Sequence, residues 1–387
     1  MKTLAISLLR LGDLFCHAHV LKALSEQRNE SITLLTHPFY QQVEFLFPFV
    51  EEAVLFKREQ CQYSIGENYY NKIWPFEHIA SLLNDLNKES FTTIADLTQT
   101  ETSARWLTYL RGQNKIGVQY DVSLRKKEFC SDNIFIKYLH SNKSSERNFI
   151  DIFKRSLGLH LTALPQSENS REQLVVFQTL TSDPKKNWPL ESWRKVIVET
   201  ANQLSEFRLI ILSSPSEEKI LKAAFQGLPL NCEIATTDLR ETYNLLKSAS
   251  LLVSGDTAIK HLGTITKTPI IEIAVGSSNP RETGAYQEGA WIIEGSSPCS
   301  PCRHSSQCSQ PGFLCHSTIS PELVTNAIIN RLSSNNSHAL KRDQNLFLEK
   351  IKTVHQNHEG WWTLKPLIEK SEERYAGRRK EPDQIIS

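Results

Sequence analysis

Residues 253–262 read Val-Ser-Gly-Asp-Thr-Ala-Ile-Lys-His-Leu, and this stretch decides the fold. It continues the apolar run Leu251-Leu252-Val253 through Gly255 into a carboxylate, a hydroxyl and the start of a predicted helix. A buried strand that turns directly into a helix is the building unit of a parallel α/β sheet. Free N–H groups and the positive end of the helix dipole would face an anion such as a diphosphate at this turn. Asp256 or Thr257 could instead only cap the helix, and the pattern leaves both interpretations open.

Short apolar runs alternate with helical patterns on both sides of this stretch. In the second half of the chain, predicted strands lie at 174–177, 209–212, 251–253 and 269–273, with helical segments at 190–204 and 217–225. In the first half, predicted strands lie at 4–11, 32–35, 93–95 and 115–118. Units of this size build parallel sheets whose ligands bind at the carboxyl ends of the strands. The sequence therefore predicts an α/β fold with two Rossmann-like, doubly wound halves.

Two polar segments divide the chain. Residues 164–170, which include a proline, are typical of a linker, and residues 333–337 form a second polar break. We therefore predict one domain at 1–165, a second domain at 172–332, and a polar linker with a helical tail at 333–387. The helical patches of that tail are expected at 346–354 and 361–368.

The composition is that of an ordinary globular chain. Of 387 residues, 40% are hydrophobic and 22% are charged, and the formal net charge is +1. Nucleic-acid binding favours a strongly basic chain, so we expect no nucleic-acid partner. Arg10 and Asp13 interrupt the first apolar run, which argues against a signal peptide, and no apolar run reaches the roughly 18 residues of a membrane span. These features predict a cytoplasmic protein.

A loop rich in hydroxyls and lysines follows the predicted strand at 174–177. Residues 181–189 read Thr-Ser-Asp-Pro-Lys-Lys-Asn-Trp-Pro. Hydroxyl groups and lysines beyond a strand end suit phosphate oxygens, toward which a lysine acts as a point charge. A solvated basic turn is the alternative interpretation.

Gly12 and Asp13 follow the first predicted strand, at the edge of the sheet where ligands bind. A carboxylate in that place can act as a general base in a cleft between two domains. It can also simply cap the helix that follows, which is the more common role of an aspartate there.

Four of the eight cysteines lie close together in a segment rich in Pro, Ser and Gln. Cys299, Cys302, Cys308 and Cys315 have the spacing C-x2-C-x5-C-x6-C, within a predicted loop at 296–318. Four thiolates can hold Zn or Fe in a tetrahedral site. Free thiols in a surface loop are the alternative, because the second pair lacks the tight C-x2-C spacing.

Several segments, in this order along the chain, resemble motifs of the ADP-heptose:lipopolysaccharide heptosyltransferases, glycosyltransferase family 9. In the first half these are Arg10-Leu11-Gly12-Asp13, Ala95-Asp96-Leu97, Ser103-Ala104 and Lys115-Ile116-Gly117. In the second half, residues 185–189 resemble the K-x-W-P loop, and Asp256-Thr257 with His261-Leu262 keep the D-[ST]-G-x-x-H-L spacing, with Ala258 in place of the glycine. Residues 276–286 resemble the motif G-P-T-D-P-x-x-T-G-P-Y, with Asn279 in place of the aspartate.

The resemblance implies a GT-B fold, in which two Rossmann-like domains face each other across a cleft. It implies an inverting, metal-independent transfer of heptose from ADP-heptose, with no cofactor required and any Zn or Fe at the cysteines only structural. Asp13 would be the general base, and Lys186 would stabilise the departing diphosphate. The donor-binding residues would be Thr181, Ser182, Glu217 at the ribose, Gly255, Asp256, Thr257 and His261. For His261, a purely structural role is the alternative to donor binding.

The expected partners are a nucleotide-diphosphate sugar donor and a glycolipid acceptor of the lipopolysaccharide-core type. Such an enzyme would contact the inner face of the inner membrane at most peripherally. Two alternatives stay open. One is a heptosyltransferase-like enzyme that glycosylates a protein, such as an autotransporter or a flagellin. The other is a binding protein that has lost turnover and uses the cysteine loop as a metal or redox sensor.

Overall fold

The computed structural model describes residues 1–66, 72–121, 126–129, 133–140, 147–166, 171–303, 306–308, 310, 312–333 and 350–367. Most of the predicted linker within 164–170 and most of the predicted tail lie outside these residues.

The first sheet contains five parallel strands in the order β3-β2-β1-β4-β5. Its strands are β1 Lys2–Ser7, β2 Ser31–Thr36, β3 Glu52–Leu55, β4 Phe91–Asp96 and β5 Gly112–Ile116. The helices of this half are α1 Leu11–Arg28, α2 Arg58–Gly66, α3 Trp74–Leu86, α4 Glu101–Tyr109, α5 Ile134–Leu139 and α6 Phe149–Ser156. Short 3-10 helices span Pro38–Gln42 and Glu44–Leu46, and β6 Val118–Asp121 pairs with β7 Lys126–Phe129 as an antiparallel ribbon.

The second sheet contains eight strands in the order β10-β9-β8-β11-β12-β13-β14-β15. They are β8 Glu172–Gln178, β9 Arg208–Ser213, β10 Cys232–Thr236, β11 Ala249–Gly255, β12 Ile270–Ala274, β13 Trp291–Glu294, β14 Ile351–Gln356 and β15 Trp362–Pro366. The helices are α7 Leu190–Gln203, α8 Glu218–Ala224, α9 Leu239–Ser248, α10 Ala258–Ile265, α11 Pro280–Thr283, α12 Leu314–Ser317 and α13 Pro321–Ser333, with a 3-10 helix at Pro184–Lys186. The strands from β10 to β13 are parallel, and β14 and β15 are antiparallel.

The central strands are buried on both faces, as near-continuous apolar runs predict for parallel sheets. Leu4, Ala5 and Ile6 of β1, and Leu252 and Val253 of β11, are fully buried. These two strands are central in their sheets, so the loops at their carboxyl ends hold the residues that follow. The prediction of two Rossmann-like α/β halves is confirmed in the described residues.

The first strand is shorter than predicted. It ends at Ser7 rather than at residue 11, and α1 begins at Leu11. Arg10 lies at the N-cap of α1, so Asp13 is the third helical residue and not the cap. The run at 4–11 is apolar enough for a strand, but its last residues turn away from the sheet to start the helix.

The prediction of a helical tail is wrong for the described residues 350–367. These residues form the hairpin β14–β15, which extends the second sheet from the edge of β13. Pairing with β13 outweighs the local helical pattern, because Ile351, Val354 and Trp362 become buried in the hairpin. Gly360, with a φ of +87°, lies in the turn between the two strands.

The two halves contact each other directly through α1 and α10. His19 Nε2 of α1 lies 2.9 Å from Thr264 Oγ1 of α10, and a shared apolar core surrounds both helices. The carboxyl ends of β1 and β11, which lead into these helices, therefore open onto the same cleft. Among the described residues, no helix is both long enough and apolar enough to cross a bilayer.

Candidate active site

Thr257, and not Asp256, caps helix α10. The Thr257 hydroxyl accepts hydrogen bonds from the backbone N–H groups of Ile259, at 3.1 Å, and Lys260, at 3.3 Å. A threonine cap satisfies two N–H groups that helix geometry leaves unpaired. The Asp256 carboxylate is thereby left to side-chain partners, and of the two predicted caps it is Thr257 that caps the helix.

Two lysines bind the two oxygens of Asp256. Lys186 Nζ lies 2.6 Å from Oδ2, and Lys260 Nζ lies 2.6 Å from Oδ1. Burial alone would raise the pKa of Asp256, but the positive charges of Lys260 and Lys186 hold it well below its ordinary value. Asp256 is therefore ionised throughout the physiological pH range.

Lys260 continues this charged group into the core. Its Nζ lies 2.9 Å from Glu272 Oε1, and both side chains are fully buried. Burial opposes the charge on Lys260, yet Asp256 and Glu272 raise its pKa above the ordinary value. Burial raises the pKa of Glu272, with the Lys260 charge acting in the opposite direction. The site thus contains a chain of alternating charges, Lys186–Asp256–Lys260–Glu272, which is fully buried at Lys260 and Glu272 and partly exposed at Lys186.

The two neighbouring lysines of the 181–189 loop have different contacts. Lys185 Nζ donates to the backbone carbonyls of Arg303, at 3.2 Å, and Ser306, at 2.9 Å. The loop is tightly fitted there, because a Cβ atom on Gly276, whose φ is +65°, would lie 2.0 Å from the carbonyl oxygen of Lys185. Lys186 is therefore the lysine that reaches Asp256, and Lys185 fastens the loop to the cysteine-rich segment.

Asp13 lies in the first turn of α1, and its carboxylate accepts a backbone N–H at the start of that helix. Asp13 Oδ2 accepts the N–H of Arg10 at 3.1 Å. Burial raises the pKa of Asp13, while the Arg10 N–H and the charges of Arg10 and Lys186 lower it and the charge of Asp256 raises it. The Arg10 guanidinium donates to Ser182 Oγ at 3.3 Å, which links the first half of the chain to the lysine loop of the second half. A carboxyl whose pKa is raised by burial is suited to accept a proton near neutral pH.

Asp13 opens into a cavity of about 260 Å³ between the two halves. Its walls come from both halves and include the apolar side chains Leu97, Phe149 and Phe153 and the polar side chains Asp13, Gln99, His140 and His261. His140 Nε2 lies 3.0 Å from Gln99 Oε1 at this wall. A few polar groups on a mostly apolar wall are typical of a binding site for a small part of a substrate.

His261 lies between this cavity and the charged chain. Its Nδ1 lies 3.3 Å from Cys16 Sγ, and its Nε2 lies 4.0 Å from Asp256 Oδ1. Burial and the charge of Lys260 hold the pKa of His261 well below its ordinary value, so the ring is neutral. Cys16 is a thiol rather than a thiolate, because burial raises its pKa far above the ordinary value.

The other predicted donor-binding residues lie at different distances from the charged chain Lys186–Asp256–Lys260–Glu272. Thr181 packs against Gly255, since a Cβ atom on Gly255 would lie 3.2 Å from Thr181 Cγ2, and the Thr181 N–H donates to Asn187 Oδ1 at 2.6 Å. Glu217 instead accepts the N–H and the hydroxyl of Ser214, at 3.0 and 2.7 Å. It therefore holds the turn that precedes α8, at the carboxyl end of β9.

The described part of the cysteine-rich segment does not form a metal-ligand set. Within the described residues, no three or more His, Cys, Asp or Glu side chains converge as ligands for a metal ion. Cys299, Cys302, Cys308 and Cys315 are not joined in disulfides, and Cys308 Sγ donates to the carbonyl of Gln310 at 3.3 Å. Burial raises the pKa of Cys302 and of Cys315, and neighbouring thiols add to the effect.

Sequence reasoning missed Lys260, Glu272 and Arg10 as parts of the site. A signal for the first was present, because Lys260 follows Asp256 at the i, i+4 spacing of side-chain pairs. A second signal was Glu272, a single carboxylate inside the apolar strand β12. The signal for Arg10 was its place in segment 10–13, which resembles a family motif, and its contact with Ser182 could not be predicted because it depends on how the two halves meet.

Comparisons with solved structures identify the fold. The E. coli heptosyltransferase WaaC, solved with ADP, superposes with a TM-score of 0.62 at 17% identity, over 86% of this chain and 100% of that chain. The glycosyl transferase family 9 protein of Veillonella parvula gives a TM-score of 0.62 at 17% identity, over 86% and 97% of the two chains. The E. coli ADP-heptose lps heptosyltransferase II gives 0.60 at 14% identity, over 87% and 100%. The predicted GT-B fold is therefore confirmed.

The sequence itself identifies the family. A comparison with curated proteins finds no match. The sequence model of glycosyltransferase family 9 (heptosyltransferase) matches residues 79–312, which is more than half of the chain. The chain therefore belongs to glycosyltransferase family 9, the heptosyltransferases, and is a glycosyltransferase.

Proposed function

We propose that this glycosyltransferase moves a sugar, heptose from ADP-heptose, onto a hydroxyl acceptor with inversion at the anomeric carbon. The observation that carries the proposal is that Asp13 and the Lys186–Asp256 ion pair lie at the same contact between the two halves. A Cβ atom on Gly12, next to Asp13, would lie 3.5 Å from Ala258 Cα, two residues after Asp256. Asp13 lies near enough for the charges of Asp256 and Lys186 to act on its pKa. The E. coli enzyme WaaC was solved with ADP and with ADP-2-deoxy-2-fluoro heptose, which supports ADP-heptose as donor.

In the proposed reaction, Asp13 accepts the proton of the acceptor hydroxyl as its oxygen attacks the anomeric carbon. The bond from that carbon to the β-phosphate oxygen breaks at the same time, and ADP leaves with the electron pair. Charge therefore develops on the acceptor oxygen and on the leaving diphosphate, through an oxocarbenium-like transition state. General-base catalysis of this kind accelerates reactions by about 10²–10⁴-fold.

The departing diphosphate would be stabilised on the side of the second sheet. Lys186, the hydroxyl of Ser182, and the N-terminus of α10 at Gly255 and Thr257 would supply positive charge and donors there. The Thr181 hydroxyl donates to the carbonyl of Asp183 at 2.8 Å and would turn from it to reach the diphosphate. Asp256 would accept hydrogen bonds from hydroxyls of the donor sugar. His261, being neutral, would donate or accept one hydrogen bond at the sugar or phosphate, and Glu217 would bind the ribose at the end of β9.

The proposed chemistry needs no metal, because Lys186 and the start of α10 provide the positive charge. No step runs through the cysteine-rich segment, whose thiols would hold any ion only for structure. We propose a cytoplasmic enzyme that meets a lipopolysaccharide-core acceptor at the inner face of the inner membrane. A protein acceptor is the alternative outcome of the acceptor test.

Donor and reaction are tested together with purified protein. ADP-heptose, UDP-glucose and GDP-mannose are each supplied with a heptose-deficient lipopolysaccharide core or with a library of Ser- and Thr-containing peptides. Of the three donors, the proposal predicts that only ADP-heptose is used, with release of ADP. NMR of the product should show an anomeric configuration opposite to that of the donor. Transfer to peptides but not to the core would replace the proposed acceptor. Transfer from UDP-glucose or GDP-mannose would replace the proposed donor, and no transfer from any of the three donors would favour a binding protein without turnover.

A further inference from the structure

Lys260 is the most enclosed cation of the site, and its ammonium group has a full set of acceptors. Its side chain is fully buried. Besides Asp256 Oδ1 at 2.6 Å and Glu272 Oε1 at 2.9 Å, its Nζ donates to the carbonyl of Thr283 at 2.8 Å. An ammonium group has three N–H donors, so every one of them is used.

These three acceptors belong to three different segments around the cleft. Asp256 precedes α10, Glu272 lies on β12, and Thr283 ends α11. The other oxygen of Glu272 accepts the N–H of Ala285 at 2.9 Å. Lys260 and Glu272 together therefore fix the segment 283–285 on both sides and tie it to Asp256.

The two lysines on Asp256 differ in how firmly they are held. Lys260 is enclosed by three acceptors, whereas Lys186 lies on the short 3-10 helix of a loop and its side chain is 14% exposed. A buried carboxylate that lost its single cation would be left uncompensated, at a high cost in free energy. A carboxylate with two cations can release one of them and stay compensated.

We propose that Lys260 is a positioning residue that holds Asp256 in place through Oδ1, so that Lys186 can leave Oδ2 and bind the donor diphosphate. The Oδ2 atom that Lys186 leaves would then accept a hydroxyl of the donor sugar. This inference rests on the proposed function, because it needs an anionic donor in the cleft. It gives the reaction a residue that contacts neither the diphosphate nor the acceptor and acts through Asp256.

The test compares the binding of ADP and of adenosine to Lys260→Met by calorimetry. Without Lys260, Lys186 is the only cation on Asp256 and cannot be given up to phosphate. ADP affinity should fall by about tenfold or more, the scale expected for a buried charge pair, while adenosine affinity stays unchanged. Lys222→Met is the matched control, since Lys222 forms an i, i+4 pair with Glu218 on an exposed helix face. That control should bind both ligands as the wild type does.

A second variant separates this role from a merely structural one. Lys260→Met with Glu272→Met removes both buried charges, so the melting temperature should recover if the single variant unfolds or is weakened. ADP affinity should nevertheless stay low, because Asp256 still holds Lys186. A double variant that binds ADP as tightly as the wild type would show that Lys260 only neutralises Glu272, and would overturn the inference.

Kinetics provide a further readout that folding alone does not move. The Lys260 variants should raise the donor KM and lower kcat, because Lys186 is withheld both from the bound donor and from the departing diphosphate. The KM for the acceptor should not change. Unchanged donor KM and kcat in a folded variant would overturn the inference alone, whereas a wild-type protein that binds no ADP would overturn the proposed function itself.

Discussion

Lys186 Nζ lies 2.6 Å from Asp256 Oδ2, so loops that follow the adjacent strands β8 and β11 meet as an ion pair. The side chains of Lys186 and Asp256 are 14% and 6% exposed. The pair is therefore largely shielded from solvent but still accessible to a ligand. Removing one partner of such a partly buried pair costs more than removing a partner of the surface pairs on the helices, because the remaining charge is left uncompensated. The meeting point of these two loops is where the donor is expected to bind.

Lys186→Ala should weaken ADP binding and lower kcat, because the lost charge is needed most when the diphosphate departs. Lys185→Ala should affect ADP binding less and stability more, because Lys185 Nζ is bonded to the carbonyls of Arg303 and Ser306. ADP calorimetry, donor kinetics and thermal melting of both variants check this. Greater loss of ADP affinity in Lys185→Ala would mean that the roles of the two lysines are reversed.

Asp13→Asn should abolish transfer and leave ADP affinity nearly intact. The amide keeps the shape of the side chain but cannot take the acceptor proton, so we expect a loss of about 10²–10⁴-fold in kcat. Single-turnover rates with saturating ADP-heptose measure the effect, and ADP calorimetry is the control. Turnover within about tenfold of the wild type would leave Asp13 with only its bond to the Arg10 N–H at the helix start.

The raised pKa of Asp13 also predicts the acidic limb of the pH–rate profile. A general base works only when it is deprotonated, and burial raises the pKa of Asp13 above the ordinary value of 3.8. The rate should therefore fall with decreasing pH at a higher pH than an exposed aspartate would give. An acidic limb at or below the ordinary value would contradict this environment for Asp13.

Neutral histidines that are shielded from solvent should make the fold sensitive to acid. Desolvation, together with the charges of Lys154 and Lys22, lowers the pKa of the partly buried His19 from 6.5 to about 3. Between those values the unfolded chain binds a proton there and the folded chain does not. The contribution of His19 to stability is therefore present above pH 6.5 and is lost as pH falls toward 3, by about 1.4 kcal/mol per pH unit.

His19→Gln should therefore reduce the slope of unfolding free energy against pH by about that amount relative to the wild type. Comparing slopes cancels the opposite effect of buried acids such as Asp96, whose pKa burial raises to about 6. Urea unfolding from about pH 6.5 to pH 4.5 measures both slopes. His358→Gln is the control, because the His358 side chain is 89% exposed. Equal slopes in wild type and His19→Gln would show that His19 is protonated in the fold.

Brief EDTA treatment should leave initial transfer rates unchanged, because Lys186 and the N-terminus of α10 supply the positive charge. Cys299→Ser with Cys302→Ser should lower the melting temperature and affect activity only indirectly. The backbone bond from the Cys302 N–H to the carbonyl of Gly276, at 2.9 Å, joins this segment to the loop beneath Lys185 and is kept in the variant, so any loss of stability comes from the two thiols. Immediate loss of activity on chelation, restored by a divalent ion without a change in melting temperature, would contradict a reaction that needs no metal.

The fold could be predicted from the sequence because its strands are nearly continuous apolar runs. Such runs indicate buried parallel strands whatever their partners are, so the sequence alone predicts β1, β8, β11 and β12. The tail could not be predicted in this way. Its residues 351–366 form strands only because β13 offers an unpaired edge to them. That edge is formed by a segment more than fifty residues away in the chain.

In the candidate site, too, local features could be predicted from the sequence and contacts between distant segments could not. Asp13, Lys186 and Asp256 each follow a strand, so their place at the sheet edge is local and could be read from the chain. Partners were not predictable, because a pairing such as Arg10 with Ser182 depends on how the two halves face each other. Lys260 is an intermediate case. Its spacing from Asp256 can be read from the sequence, but its burial against Glu272 depends on the tertiary structure.

The hairpin β14–β15 sets the length of the smallest chain that can be cut from this protein. Trp362 lies in it, and its backbone N–H donates to Asp151 on α6 at 2.7 Å while its indole N–H donates to the carbonyl of Ala285 at 3.0 Å. The family match ends at residue 312, and a shortened chain ending near α13 would look complete by that measure. It would leave β13 as an unpaired edge strand, which is prone to pair with other chains. It would also remove the bonds by which Trp362 joins α6 of the first half to the loop at Ala285. Trimming for crystallisation or engineering should therefore keep residues 350–367.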